Sequence, residues 1–293
     1  MNAIQTEGLT KFYGSSRGIL DLDLTVQEGE FYGFIGPNGA GKSTTIRTLL
    51  GLIRKTRGSA RVLGMDIAKE KEQILAETGY LPSEAVFYPD MRGRDLIRLS
   101  ADLHRKDCKK TSEELCERLQ LDPSRRIGEL SFGNRKKLAV ICALQHNPRL
   151  CILDEPTGGL DPLMQREFFE ILKERNRQGM TVFLSSHILS EIQRFCSRAA
   201  IIREGRIIAS GSVEELARTN AKRISIRGSF DSSGLPDVRD LQRSDDTVSF
   251  LYGGDINLLL ARLGKDPILD LTISEPDLEE IFLHYYTKGE EQP

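Results

Sequence analysis

The sequence Gly36-Pro-Asn-Gly-Ala-Gly-Lys-Ser-Thr44 follows an apolar segment, Glu30 to Ile35, and opens an amphipathic one, Lys42 to Leu52. It fits G-x-x-x-x-G-K-[ST], the pattern of a phosphate-binding loop. Glycines let the backbone curl until successive N–H groups point inward at a polyanion, and the start of the following helix adds partial positive charge. The pattern therefore predicts strand, loop and helix at the opening of an α/β nucleotide-binding fold. The expected nucleotide ligands are Asn38, Gly39, Ala40, Gly41, Lys42, Ser43 and Thr44.

Two acidic residues supply the second part of the predicted site. The apolar segment Leu150 to Leu153 runs directly into Asp154 and Glu155. In a phosphoryl-transfer site, Lys42 would reach the β- and γ-phosphates, and the Ser43 hydroxyl would bind Mg²⁺. Asp154 would support the same metal ion, and Glu155 would polarise a water in line with the γ-phosphate. On its own, the segment also fits a buried strand with a solvated acidic end.

Composition narrows the class of protein. The 293 residues carry 41 Lys and Arg against 43 Asp and Glu, so no global field attracts nucleic acid. The longest uncharged apolar runs fall far short of the roughly 20 residues that cross a bilayer, and the N-terminus lacks the pattern of a secretory signal. The 5 cysteines are scattered without a CxxC spacing, which fits a reducing compartment and disfavours a zinc site. We therefore expect a cytoplasmic protein without a nucleic-acid partner.

Hydrophobic periodicity predicts the order of elements along the chain. Alternation over Leu20 to Val26 predicts a strand with one solvated face, and Arg92 to Asn147 has a helical pattern. Strand and helix patterns then alternate, which predicts a parallel sheet. These segments are Leu150 to Leu153 (strand), Leu163 to Arg175 (helix), Thr181 to Ser185 (strand), Ile188 to Cys196 (helix) and Ala199 to Ile202 (strand).

A third motif resembles a family signature. Leu130-Ser-Phe-Gly-Asn134 resembles Leu-Ser-Gly-Gly-Gln of the ATP-binding cassette (ABC) family. A serine hydroxyl and a glycine N–H at a helix start can bind an anion. The resemblance implies that Ser131 and Gly133 face the γ-phosphate held by the other protomer. For an isolated motif the alternative is a plain helix N-cap followed by a solvated Arg135-Lys-Lys137 face.

Further motifs follow in the order of that family. Gly159-Leu-Asp161-Pro162 resembles the loop that crosses the dimer interface, and Ser185-Ser-His187 resembles the segment with the switch histidine, which acts in catalysis. Tyr13 resembles the aromatic residue that stacks on adenine. Phe12 is its competitor, because adjacent strand residues face opposite ways.

One position departs from the family pattern. After Thr78-Gly-Tyr-Leu-Pro82 the family has a glutamine that touches Mg²⁺ and couples the helical insertion to the membrane partner, whereas this sequence has Ser83 followed by Glu84. Serine keeps a side-chain oxygen, but its side chain is shorter than that of glutamine and extends less far toward a metal ion. Ser83, a water or Glu84 can therefore complete the metal shell. We expect the departure to affect the coupling geometry and not the ATPase.

The resemblance implies a fold, an activity and partners. The fold is a P-loop NTPase core over residues 1–219, with a parallel sheet, N-terminal antiparallel strands and a helical insertion at about 85–147. The activity is Mg²⁺-dependent hydrolysis of ATP. The partners are a separate membrane permease and a second cassette, most simply an identical copy, which place the protein on the inner face of the cell membrane.

Four strings are most similar to cassettes of the bacitracin and daunorubicin resistance type: Leu81-Pro-Ser-Glu84, Leu130 to Asn134, Gly159 to Gln165 and Leu278 to Tyr286. This implies export of a drug, a peptide antibiotic or a lipid-like substrate. A soluble cassette of translation or DNA repair is disfavoured, since the chain has neither two fused cassettes nor a long coiled coil between its motifs. An ATP-bound scaffold without turnover is disfavoured by Glu155 and His187.

Residues 220–293 predict a small accessory α+β domain. Candidate strands and helices are Arg223 to Arg227, Val248 to Tyr252 and Ile268 to Ile273 (strands), and Asp255 to Leu263 and Pro276 to Tyr286 (helices). The stretch Gly228 to Asp246 is rich in turn-forming residues and predicts a connection. The last helix would carry an apolar stripe of Leu278, Ile281, Phe282 and Tyr285. Its partner could be the cassette core, the second protomer or the permease, of which we favour self-association.

Overall fold

The structure is a computed structural model that describes residues 1–14, 16–217, 222–228, 230–244, 246–264 and 267–274. The chain divides into two compact units, with the boundary between Val213 and Glu214. The division at residues 219 and 220 and the limits of the helical insertion stay predictions. The predicted terminal helix with its apolar stripe lies outside the described residues.

The first unit combines an antiparallel start with an α/β core. Its strands are β1 (Asn2–Tyr13), β2 (Ser16–Gln27), β3 (Phe31–Ile35), β4 (Arg57–Val62), β5 (Met65–Asp66), β6 (Thr78–Leu81), β7 (Leu150–Asp154), β8 (Thr181–Ser186), β9 (Arg198–Arg203) and β10 (Arg206–Ser212). Its helices are α1 (Lys42–Leu49), α2 (Lys71–Glu77), α3 (Gly93–His104), α4 (Lys109–Arg118), α5 (Phe132–Leu144), α6 (Pro162–Arg177) and α7 (Leu189–Phe195), and α8 (Val213–Ala217) begins at the unit boundary.

The central sheet has the strand order β10-β9-β3-β8-β7-β6. The strands from β9 to β6 pair in parallel, and β10 pairs antiparallel with β9 at the edge. Every residue of β3, β7 and β8 is buried, as expected of parallel strands that are covered on both faces. Helices α1, α6 and α7 pack against these strands. The predicted parallel sheet is confirmed.

The N-terminal strands form a second sheet in the order β2-β1-β4-β5, all antiparallel. The alternation predicted for β2 holds, because Leu22, Leu24 and Val26 are buried in the core while Asp21 and Asp23 are exposed. Between β6 and β7 the chain is helical, and α3 and α4 both pack on α5. The antiparallel N-terminal sheet and the helical segment between β6 and β7 both match the fold class predicted from the sequence.

The strand order brings the functional segments to one edge of the sheet. β8 lies between β3 and β7. The register places Ile35 beside Ser186 and Asp154 beside Ser185. Since parallel strands end at the same edge, the phosphate loop, the acidic pair and His187 all leave the sheet together.

The second unit contains a four-stranded antiparallel sheet in the order β12-β13-β11-β14. Its elements are β11 (Lys222–Gly228), β12 (Val238–Ser244), β13 (Thr247–Tyr252), α9 (Ile256–Leu263) and β14 (Ile268–Ser274). Ile224, Phe250 and Leu259 are fully buried in its core. The prediction of a connection over Gly228 to Asp246 is wrong, because β12 lies inside it. The apolar residues of β12, Val238 and Leu241, are three positions apart, so the strand carries no apolar alternation that periodicity could detect.

Candidate nucleotide site

The phosphate loop joins β3 to α1, and two glycines determine its path. Gly41, directly before α1, has φ +111°, a left-handed conformation that glycine adopts without a Cβ penalty. A Cβ on Gly36 would lie 2.6 Å from the carbonyl oxygen of Ile202 on β9. A larger residue at position 36 would therefore push the loop away from the sheet.

Lys42 is fixed by the loop that precedes it. Its side chain is 5% exposed, and Nζ lies 3.2 Å from Oε1 of Glu155. Nζ also donates hydrogen bonds to the carbonyl oxygens of Gly36 at 2.7 Å and Pro37 at 3.1 Å. The ammonium group thus points at the place where a β- or γ-phosphate oxygen could replace the carboxylate.

A pocket of about 190 Å³ opens over the loop. Its lining residues are Tyr13, Gly18, Pro37, Asn38, Gly39, Gly41, Lys42, Ser43, Thr44 and Glu155. The structure thus brings together most of the predicted nucleotide ligands and the predicted base. Ala40 is buried behind the loop at 3% exposure.

Tyr13 and Phe12 differ in their surroundings. Tyr13 lines the pocket and is 46% exposed, with Nζ of Lys11 5.1 Å from its ring centroid. Phe12 is half-buried, and its amide donates a hydrogen bond to Oγ1 of Thr56 at 3.0 Å. Tyr13 is therefore the better placed of the two to meet a base.

Asp154 is a buried carboxylate whose two oxygens differ in their surroundings. It is 1% exposed, and its Oδ1 accepts a hydrogen bond from Oγ of Ser185 at 3.2 Å. Its Oδ2 has no hydrogen-bond partner among the described residues. A buried, unpaired carboxylate oxygen is costly unless a cation meets it, and Mg²⁺ prefers one or two carboxylates together with waters and substrate phosphates. Asp154 and the hydroxyl of Ser43 therefore fit an Mg²⁺ ion.

Glu155 is held from several sides. Its backbone has φ +49°, and its amide donates a hydrogen bond to the carbonyl oxygen of Ser185 at 2.9 Å. Its Oε1 lies 3.2 Å from Nζ of Lys42 and 3.4 Å from Nδ1 of His187. Burial alone would raise the pKa of Glu155, but Lys42 and then His187 more than offset it and hold the pKa below its usual value. The carboxylate is therefore ionised and able to accept a proton.

Ser83 and Glu84 follow the end of β6. Ser83 is half-buried, and its carbonyl oxygen accepts a hydrogen bond from Nζ of Lys136 at 3.0 Å. Glu84 is exposed. Neither side chain lines the pocket described above. Metal contact by Ser83 stays a prediction.

The signature residues and the predicted dimer loop touch each other away from this pocket. Ser131 caps α5, accepting a hydrogen bond from a backbone amide of the first turn at 3.3 Å. A Cβ on Gly133 would lie 2.6 Å from the carbonyl oxygen of Gly159. Asp161 caps α6 through Oδ1 at 3.0 Å. Ser131, Gly133 and Asp161 do not line the pocket of their own chain, as a site completed by another protomer requires.

Lys136 is a residue of the site that the sequence analysis missed. The alternative interpretation of Arg135-Lys-Lys137 as a solvated face is wrong at Lys136. This residue is 2% exposed and donates hydrogen bonds to three backbone carbonyl oxygens. Burial lowers its pKa to about 8, although Asp154 and Glu155 act in the opposite direction. Helical spacing could have found it, since it shares a face of α5 with buried Ala139, Val140 and Ala143.

The fold and the site together define a P-loop ATPase of the cassette type, and comparison with known proteins identifies its family. A model of the ABC transporter family matches residues 19–158. The bacitracin transport ATP-binding protein BcrA of Bacillus licheniformis is 35% identical over 96% of this chain and 96% of its own length. The linearmycin resistance ATP-binding protein LnrL of Bacillus subtilis is 30% identical over 96% of this chain and 97% of its own. The chain belongs to the ABC transporter family as an ATP-binding subunit.

Solved structures have the same fold. The ATP-binding subunit of an ABC transporter superposes with a TM-score of 0.71 at 30% identity, covering 74% of this chain and 92% of that one. A dimeric, post-hydrolysis cassette, MJ0796 with ADP and Pi, superposes with a TM-score of 0.66 at 22% identity, covering 72% and 98%. The resemblance and the fold class expected from the sequence are confirmed.

Proposed function

We propose that this chain is the Mg²⁺-dependent ATPase subunit of an exporter, in which ATP-driven pairing of two copies drives a separate membrane permease. The observation that carries the proposal is the meeting of Lys42, Glu155 and His187 beside the phosphate loop. A cation for the phosphates, a general base and a group that orients the base are the parts that hydrolysis needs.

Nucleotide binding uses the loop and the residues around its pocket. The loop N–H groups and Lys42 bind the phosphates, and Tyr13 stacks on the adenine ring. Asp154 and Ser43 would hold Mg²⁺, which neutralises charge on the β- and γ-phosphates when it is bound. The lack of a hydrogen-bond partner for Oδ2 of Asp154 within the described part of the chain supports this assignment.

Hydrolysis depends on release of Glu155 from its ion pair. In the structure its carboxylate lies 3.2 Å from Nζ of Lys42. A γ-phosphate that takes over the ammonium group leaves the carboxylate free to accept a proton from the attacking water. His187, 3.4 Å away through Nδ1, keeps the carboxylate pointed at that water.

A second copy completes each site. Ser131 is exposed and Gly133 is half-buried at a helix start that does not line the chain's own pocket. Two cassettes arranged head to tail would bring each such helix start to the partner's γ-phosphate, with Asp161 at the interface. The dimeric state of the structural neighbour MJ0796 supports this arrangement.

The relatives support an export role. BcrA and LnrL are named for bacitracin transport and linearmycin resistance, and removal of an antibiotic from the cell is export. Among the described residues, no helix has both the length and the apolar character to cross a bilayer. We therefore assign the membrane path to a separate permease, with this subunit bound on its cytoplasmic side and a drug, a peptide antibiotic or a lipid-like molecule as cargo.

Mixing two variants, each with impaired ATPase activity, tests the composite site. Lys42→Ala removes the phosphate cation of its own site, and Ser131→Ala removes the hydroxyl that serves the partner's site. In a mixed dimer one site keeps both groups. Random pairing puts about half of the chains in mixed dimers with one intact site of two, so ATPase activity should return to at most about a quarter of the wild-type rate, and to less where hydrolysis in one site also depends on nucleotide in the other. Absence of recovery at any mixing ratio would contradict head-to-tail pairing.

The permease is tested separately. The chain is purified from detergent-solubilised membranes, and the protein that accompanies it is identified by mass spectrometry. Retention of a multi-span membrane protein through purification supports the transport role. Recovery of the subunit alone, with full ATPase activity in the soluble fraction, contradicts it.

A further inference from the structure

Lys136 on α5 is buried and fully used in hydrogen bonding. Its side chain is 2% exposed. Nζ donates to the carbonyl oxygens of Pro82 at 3.1 Å, Ser83 at 3.0 Å and Glu155 at 3.3 Å. A lysine ammonium has three protons, so each one meets a backbone oxygen. Burial of a lysine is costly unless its charge is compensated in this way.

The three carbonyl groups belong to two neighbouring strand ends. Pro82 and Ser83 follow β6, and Glu155 follows β7, which pairs with β6 in parallel. A single ammonium group therefore joins the loop that departs from the family pattern to the segment that carries the predicted base.

Glu155 needs support because its backbone conformation is unfavourable. With φ +49° it is left-handed, a conformation that a non-glycine residue keeps only where its surroundings fix it. Its amide donates to the carbonyl oxygen of Ser185, and its own carbonyl accepts from Lys136. The backbone is thus tied on both sides of the Cα that carries the hydrolytic carboxylate.

The same helix carries the residues that would face the partner's nucleotide. Ser131 is the N-cap of α5, and Gly133 lies in its first turn. Lys136 follows within the next turn, and a helix of 3.6 residues per turn moves as a rigid unit over this distance. Any displacement of the start of α5 therefore displaces the ammonium group that holds Glu155.

We propose that Lys136 is a positioning residue that transmits contact of Ser131 and Gly133 with a second cassette's nucleotide to Glu155 of the same chain. The inference rests on the proposed pairing of two cassettes. A nucleotide bound by one copy seats α5 of the other, and the seated helix fixes Glu155 for hydrolysis in its own site. Hydrolysis in each site thereby depends on nucleotide bound in the opposite site.

The test compares variants at position 136 with an exposed lysine of α4. Lys136→Met keeps length without charge or N–H groups, Lys136→Arg keeps both, and Lys110→Met is the control. We expect Lys136→Met to lower kcat by about 10- to 100-fold, the usual effect of losing a charged donor to buried oxygens. ATP affinity of the monomer and KM should change far less than kcat. Lys136→Arg should retain more of kcat than Lys136→Met, and Lys110→Met should equal wild type.

A second readout does not depend on turnover. In a Glu155→Gln background, pairing in Mg-ATP is measured by sedimentation velocity, and Lys136→Met should weaken it by about tenfold. In the background with Glu155 intact, Ser131→Ala is combined with Lys136→Met. If Lys136 transmits the contact, the double variant loses less kcat than the product of the two single losses.

The outcomes separate the two proposals. A wild-type protein that neither pairs nor hydrolyses ATP overturns the proposed function, and this inference with it. A wild-type protein that does both, with Lys136→Met unchanged in kcat and pairing, overturns the inference alone, as do multiplicative effects with Ser131→Ala. If Lys136→Met does not fold, Lys136→Gln, which is shorter and has two amide protons for the three carbonyl oxygens, replaces it. Normal kcat in Lys136→Gln overturns the inference, and reduced kcat with unchanged ATP affinity supports it.

Discussion

His146 makes the folding stability of this protein sensitive to acid. It follows α5, is 2% exposed, and stacks on His104 of α3 with ring centroids 3.6 Å apart. Its carbonyl oxygen accepts a hydrogen bond from Nζ of Lys106 at 3.2 Å. Burial, and then the nearby charges of His104 and Lys106, lower the pKa of His146 from 6.5 to about 3. The imidazole is therefore neutral in the folded protein at every pH above that value.

The size of the effect follows from the two pKa values. Between about pH 3 and 6.5 the unfolded chain binds a proton at His146 that the folded chain does not, so stability falls as pH falls through 6.5. Each pH unit costs about 1.4 kcal/mol. At pH 5 the free energy of unfolding should thus be lower by about 2 kcal/mol than at pH 7.5. Burial also lowers the pKa of His104, which acts in the same direction.

Urea unfolding at pH 7.5 and pH 5, followed by circular dichroism, measures this difference. His146→Phe keeps an aromatic ring against His104 but cannot bind a proton. We expect the wild-type loss between the two pH values to exceed that of His146→Phe by about 2 kcal/mol. Groups that do not touch His146 are common to both proteins, so their titration cancels. Equal losses, within about 0.5 kcal/mol, would refute burial of a neutral imidazole as the cause.

Four further substitutions test the site. Glu155→Gln should leave ATP binding by calorimetry intact and lower phosphate release by about 10² to 10⁴-fold, because the amide cannot act as a base; turnover within about twofold of wild type would remove Glu155 from that role. Lys42→Ala should lose ATP affinity itself, and unchanged affinity would contradict the phosphate-loop assignment. Ser83→Ala should alter permease-stimulated ATPase more than that of the isolated cassette, whereas equal fractional changes would rule out a role in coupling. Gly133→Ala should keep ATP binding and lose ATPase activity, since a Cβ there would lie 2.6 Å from the carbonyl oxygen of Gly159; a wild-type rate would show that the close approach is unimportant.

Periodicity predicted β2, whose apolar residues alternate toward the core, and failed at β12, whose sequence has no such alternation. Leu22, Leu24 and Val26 alternate with exposed residues, and the strand was predicted. In β12 the residues after Val238 are all exposed, so its strand is formed by pairing with β13, a partner that is not encoded in its own pattern. Lys136 shows the opposite case, because a charged residue in a basic run lies on the buried face of α5.

The sequence by itself determined the phosphate loop, the strand that ends in Asp154 and the order of the cassette motifs. These depend on backbone freedom at glycines, on short spacing and on local apolar patterns, all of which are written in neighbouring residues. Only the tertiary structure decided that Lys42, Glu155 and His187 meet, that Oδ2 of Asp154 has no partner among the described residues, and that Lys136 joins two strand ends. Those contacts join segments far apart along the chain, and they arise from the strand order β3-β8-β7-β6, which no local pattern specifies.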